Sequence, residues 1–178
     1  QFDSFFNLSI VLACYMIAGN MLNDFMDIEI DRINKPNRFL VQYNINKNII
    51  ISVIIAFIVI GSFTALQLDM VARSIAIFFA LPLLVSYELV FKKMPLIGNI
   101  VISLLVASVF IYTEAGLLGK IDITWKIFIL AFMLNLIREI VKDMQDIQGD
   151  REYNFKTLPI IIGISKTIAV LWVLSILF

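Results

Sequence analysis

Two short windows of this chain carry carboxylates at matching intervals: Asn23-Asp24-Phe25-Met26-Asp27-Ile28-Glu29-Ile30-Asp31 and Lys142-Asp143-Met144-Gln145-Asp146-Ile147-Gln148-Gly149-Asp150. Both read D-x-x-D-I-x-x-D in one register. On an α-helix, positions i, i+3, i+4 and i+7 share a face. The spacing therefore projects Asp24, Asp27 and Asp31 together, and likewise Asp143, Asp146 and Asp150. Asn23, four residues before Asp27, joins the first face. Like charges this close repel, and carboxylates beside hydrocarbon are costly, so inward-facing clusters require a cation. Oxygen ligands without Cys or His select a hard ion such as Mg²⁺. Magnesium takes one or two protein carboxylates and completes its octahedron with water and substrate phosphate. Two facing clusters are thus suited to bridging a diphosphate through metal ions.

Basic residues accompany the acids. Arg138, Lys142 and Asp146 follow i, i+4, i+8, placing both cations on the helix of the second cluster. Lys35, Arg38 and Lys156 flank the clusters in the loops. Such cations neutralise a departing diphosphate or hold a phosphate on an acceptor; the alternative is anchoring at the basic membrane face. Glu88 precedes Lys92 by four residues, the spacing of a simple helix pair. Tyr87, Asn99, Tyr112, Glu114 and Asn135 either line a cavity or make hydrogen bonds between packed helices.

The elements that position these residues follow from composition. Of 178 residues, 61% are hydrophobic and 16% charged, and the mean hydropathy is +0.94. A soluble domain carries about 25% charged residues, so this chain is a bilayer resident. Six stretches approach the ~20 apolar residues of a spanning helix: 5–25, 49–67, 74–91, 96–118, 125–142 and 164–178. In lipid a helix satisfies its own backbone, and the runs are too continuous for alternating barrel strands. The expected fold is all-α, a polytopic transmembrane helix bundle formed by a single domain over 1–178. Because residue 1 is Gln rather than Met and the last apolar run has no polar exit, the chain is expected to be a fragment lacking helices at both ends.

Four spans separate the two Asp windows, so both lie at one membrane face, in the pattern of a parallel internal repeat. That face also receives 11 of the 14 Lys and Arg residues, which makes it cytoplasmic by the positive-inside rule. Zero formal net charge provides no basic field for nucleic acid. With no His, triads and imidazole bases are excluded. The single Cys14 sits in an apolar run as an inert buried thiol.

These residues resemble the UbiA superfamily of intramembrane prenyltransferases. Its first signature, N-D-x-x-D-x-x-x-D, is matched by Asn23, Asp24, Asp27 and Asp31, and its N-K-P-x-R by Asn34, Lys35, Pro36 and Arg38. The second, D-x-x-D-x-x-x-D, is matched by Asp143, Asp146 and Asp150. Tyr87 and Lys92 resemble its Y-x-x-x-K element with one extra residue, and Phe39 stands where a Pro commonly follows the Arg. Arg138–Asp143, Lys156–Ile160 and Pro95–Asn99 look most like the branch that prenylates geranylgeranylglyceryl phosphate. The resemblance implies a nine-helix fold, of which this chain would supply the second to seventh helices. It also implies Mg²⁺-dependent transfer of a prenyl group, geranylgeranyl in that branch, from its diphosphate to a lipid-soluble acceptor. The six Asp residues would hold metal and perform catalysis. Asn23, Lys35, Arg38, Tyr87, Lys92, Arg138, Lys142 and Lys156 would bind substrate.

Two other readings compete. A quinone precursor or a chlorin would serve as acceptor with the same Asp clusters. A carboxylate-lined ion transporter would instead place its acids near the bilayer midplane.

Overall fold

The computed structural model describes residues 2–43 and 45–177, with the side chain of Leu177 excepted. Phe178, the last residue of the sixth expected span, lies outside the described residues. All regular elements among the described residues are helical. In chain order they are α1 (Phe2–Met26), α2 (Ile28–Asn34), α3 (Phe39–Gln42), α4 (Lys47–Ala65), α5 (Met70–Ser74), a π-helical turn (Ile75–Ala80) and α6 (Leu81–Leu89). A 3₁₀ turn (Phe91–Lys93) leads to α7 (Ile97–Leu118), α8 (Trp125–Gln145), α9 (Ile147–Glu152), α10 (Leu158–Ile162) and α11 (Ile164–Leu177).

Four of the six expected spans are long and apolar enough to cross a bilayer: Phe2–Met26, Lys47–Ala65, Met70–Leu89 and Ile97–Leu118. The fifth, α8, is 21 residues long. Its last turns, however, carry Arg138, Glu139, Lys142 and Asp143, which lower its hydropathy. The sixth, α11, is 14 residues long. Large apolar side chains remain bare on the outer surface, among them Phe63, Phe78 and Trp172. In water such a belt would drive aggregation, whereas in hydrocarbon it costs nothing. The protein is an integral, multi-pass membrane protein.

The third span contains its own interruption. Pro82 has no N–H to donate and its ring crowds the carbonyl one turn earlier. The chain widens into the π turn, and the Leu81 N–H reaches back to the Ala76 carbonyl. This widened turn borders the internal cavity described below.

Interior packing falls into two clusters. Leu8, Val11, Tyr15, Leu68, Ala72, Ala76 and Tyr112 join α1, the π-turn segment and α7 at the end remote from the Asp windows. Ala18, Ile50 and Ile54 join α1 to α4 nearer to them. Tyr15 and Ser62 share a hydrogen bond of 2.9 Å across the α1–α4 contact.

Candidate active site

Both Asp windows sit at helix breaks of the same design. Continuous helices through the windows are the simplest reading of the spacing, but α1 ends at Met26 and α8 at Gln145. Asp27 and Asp146 occupy the breaks with nearly identical backbones, φ −95°, ψ 2° and φ −92°, ψ 6°. The helical ladder nevertheless carries across each break. The Asp27 N–H donates to the Asn23 carbonyl and the Asp31 N–H to that of Asp27. The Asp146 and Asp150 N–H groups repeat this with Lys142 and Asp146. The side-chain register inferred from spacing therefore survives the break, and the two halves match in backbone as well as sequence.

The halves meet through α2 and α9. Asn34 at the end of α2 donates to the Asp146 carbonyl at 3.0 Å and accepts from the Gly149 N–H at 2.9 Å. A Cβ at Gly149 would lie 2.5 Å from the Asn34 amide nitrogen, so this approach requires glycine. Lys35, the next residue, pairs with the Asp146 carboxylate.

Cations fill the spaces between carboxylates. Arg38 bridges Asp24 and Asp31 at 2.6 and 2.7 Å. Lys92 reaches Asp27 at 2.6 Å, the Asn23 side-chain amide oxygen Oδ1 at 2.8 Å and Glu88 at 3.2 Å. Asn99 donates to Asp143 at 2.9 Å. The turn that delivers Lys92 and Asn99 is tight. Leu96 adopts a left-handed φ of 60°, a strained state for a side chain of this size. A Cβ at Gly98 would lie 2.7 Å from the Phe91 carbonyl oxygen.

Burial sets the electrostatics of the loop acids. Asp31 is 3% exposed and Asp150 8%. Burial pushes the Asp150 carboxyl up to about 7, with Asp143, Asp146 and Asp27 adding to the rise and Lys35 opposing it. Burial also raises Asp31, against the pull of the Arg38 guanidinium.

Eleven of the fourteen site residues expected from sequence line one polar pocket: Asn23, Asp27, Asp31, Lys35, Arg38, Tyr87, Lys92, Lys142, Asp143, Asp146 and Asp150. Asp24 and Arg138 line the adjoining, mainly apolar cavity of about 570 Å³, which runs down α1 past Gly19 and Met16 to Tyr15 and Val11. That volume is typical of a small-molecule site. Lys156 is not brought to the site: its side chain is exposed, and its backbone N–H points to the Lys93 carbonyl at 3.4 Å.

Asn34, Glu139 and Thr157 fell within motifs noted in the sequence but were given no role in the site. The Thr157 hydroxyl is buried and without a hydrogen-bond partner among the described residues, and Thr157 lines the polar pocket. Its signal was its place in Lys156-Thr157-Leu158-Pro159, where Thr precedes the helix-starting Pro.

The chain shares its fold with a UbiA homologue from Archaeoglobus fulgidus solved bound to DMAPP and Mg²⁺. The TM-score is 0.83 at 20% identity, over 99% of this chain and 64% of the other. A UbiA homologue from Aeropyrum pernix, solved without ligand, superposes with a TM-score of 0.82 at 17% identity, over 98% of this chain and 66% of the other. Among curated proteins, the digeranylgeranylglyceryl phosphate synthase of Pyrococcus abyssi is 38% identical over 157 residues, 88% of this chain and 55% of that protein. The synthase of Methanosphaera stadtmanae is 33% identical, over 97% of this chain and 64% of that protein. The chain thus spans little more than half the length of the curated relatives it matches. The family model for UbiA prenyltransferases matches residues 1–178, and the chain belongs to that family.

Proposed function

We propose that this chain forms the reaction centre of a Mg²⁺-dependent prenyltransferase whose acceptor is geranylgeranylglyceryl phosphate. The observation that carries the reading is the junction of two pockets, one ringed by carboxylates and cations and one apolar. An allylic diphosphate has the same two-part chemistry. The relatives named above as digeranylgeranylglyceryl phosphate synthases favour this acceptor over a ring compound.

The residues present fit magnesium by donor chemistry. Asp24, Asp27, Asp31, Asp143, Asp146 and Asp150 are hard oxygen donors on two matched frames. Among the described residues no three acids converge into a closed cage. That suits an ion which keeps several waters and takes substrate phosphate as ligand. Arg38, Lys35 and Lys92 presently pair with four of the six Asp residues. They mark where positive charge is wanted. The unpartnered Thr157 hydroxyl is a further donor in the same pocket.

Bound Mg²⁺ would supply charge that neutralises the diphosphate. The Asp residues would hold it, with Asn23 and Asn99 orienting Asp27 and Asp143. Lys92, Lys142, Lys35 and Arg38 balance charge that grows on the diphosphate as the allylic C–O bond breaks. The prenyl tail lies along α1 in the apolar cavity, where water is excluded from the carbocation-like carbon. Arg138, which lines the cavity, would contact the acceptor phosphate. The loops carrying the site face the cytoplasm, in keeping with their excess of Lys and Arg.

The test uses the full-length protein in nanodiscs with geranylgeranyl diphosphate and geranylgeranylglyceryl phosphate, with Mg²⁺ or EDTA. Mass spectrometry should detect the diether with Mg²⁺ alone. Turnover only after a quinone precursor replaces the glycerol lipid would overturn the acceptor.

A further inference from the structure

Glu139 occupies a place that the roles above leave unused. It lies on α8 one helical turn before Asp143 and is 4% exposed. Five residues line both the polar pocket and the apolar cavity: Asn23, Arg38, Tyr87, Glu139 and Lys142. Glu139 is the carboxylate among them. Asp24 and Glu88 border only the cavity, and the other Asp residues only the polar pocket. With a diphosphate in one pocket and its tail in the other, the reacting carbon falls at this shared boundary.

A hydroxyl acceptor must lose a proton there, and the chain has no His to take it. Of the boundary residues, Arg38 and Lys142 are cations that bear no acceptor site, Asn23 is an amide and Tyr87 a phenol. Arg138 and Lys142 both donate to Glu139. These two contacts hold the Glu139 carboxylate at the boundary between the pockets, where the acceptor hydroxyl must lie.

Resting on the prenyltransferase reading, we propose that Glu139 is the general base that deprotonates the acceptor hydroxyl. The donor C1–O bond breaks with its electron pair departing on the diphosphate. The acceptor oxygen bonds to C1, and its proton moves to a Glu139 carboxylate oxygen, from which it returns to water. Protonation cancels the charge on Glu139 and frees Lys142, which borders both pockets, to face the departing diphosphate.

The experiment separates bond cleavage from proton removal, using the full-length enzyme with Mg²⁺ and a donor labelled with ¹⁸O in the bridging position. Scrambling of that label into non-bridging positions reports C1–O cleavage, and mass spectrometry of the ether reports transfer. E139Q should keep donor affinity and label scrambling while ether formation falls on the order of 100-fold, the worth of a positioned base. E139D should recover part of the transfer rate. Ether formation by E139Q within a few-fold of wild type would overturn the proposal. So would a rise in acceptor KM with kcat unchanged, which marks a positioning residue for the acceptor headgroup. Joint loss of scrambling and transfer in E139Q and E139D would also overturn it. Absence of Mg²⁺-dependent scrambling in the wild type would instead bring down the prenyltransferase reading beneath it.

Discussion

The Asn34 side chain clasps the Gly149 backbone, accepting its N–H at 2.9 Å while donating to the Asp146 carbonyl at 3.0 Å. This amide, with the neighbouring Lys35–Asp146 pair, ties the two Asp-bearing loops together. Neither α2 nor α9 exceeds seven residues, and helices that short do not hold themselves in place.

Asn34→Ala should therefore lower stability by ~1–3 kcal/mol, the cost of stranding a part-buried backbone N–H. Gly149→Ala should do similar damage from the opposite side, by forcing Asn34 out. Thermal unfolding in detergent checks both. Donor affinity with Mg²⁺ should fall in each variant, because the loops lose their mutual register.

Lys92 holds three groups at once: Asp27, Asn23 and the buried Glu88. Lys92→Met leaves Glu88 without its counter-charge. Removing one partner of a buried pair costs ~3–5 kcal/mol. The expected result is a lower unfolding temperature together with lost transfer. The double variant Lys92→Met/Glu88→Gln should regain stability, but not transfer. A double-mutant cycle on both readouts tests that separation.

Lys35 and Lys156 look alike in sequence, each beside an Asp window, yet only Lys35 reaches a carboxylate. Lys35→Ala should cut transfer at least tenfold. Lys156→Ala should leave it within about twofold, as expected of an exposed position. Steady-state kinetics of the pair decide the matter.

Glu114 serves the opposite end of the bundle. Its carboxylate accepts from the Ile123 and Thr124 N–H groups and from the Thr124 hydroxyl, tying the α7–α8 loop to the end of α7. Glu114→Ala should cost ~1–3 kcal/mol through the stranded donors. Donor binding in the polar pocket should stay at the wild-type value, since Glu114 lines neither the polar pocket nor the apolar cavity. Calorimetry of donor binding alongside thermal unfolding would show the split.

Much of this was legible in the residues, for identifiable reasons. The Asp spacing survived because the helical ladder continues through Asp27 and Asp146 even where the helices break. Nothing in the spacing announced the breaks, which come from backbone dihedrals at two ordinary Asp residues. The π turn was hidden within an evenly apolar run, and its signal was Pro82. Hydropathy named six spans, but the charges closing α8 serve the pocket and set that helix apart from the four clearly apolar ones. The contact of Asn34 with Gly149 joins residues remote in sequence, and no local pattern encodes it. Lys156 was assigned by nearness in sequence, whereas its loop turns the side chain outward.

The central claim is that the two matched Asp frames act together on one metal-bound diphosphate. The most direct measurement is ether formation by the full-length Asp27→Asn and Asp146→Asn variants with saturating Mg²⁺, alongside their unfolding temperatures in EDTA. Each substitution alone should abolish transfer while leaving the metal-free protein about as stable as wild type. Wild-type turnover in either variant would contradict the two-frame site.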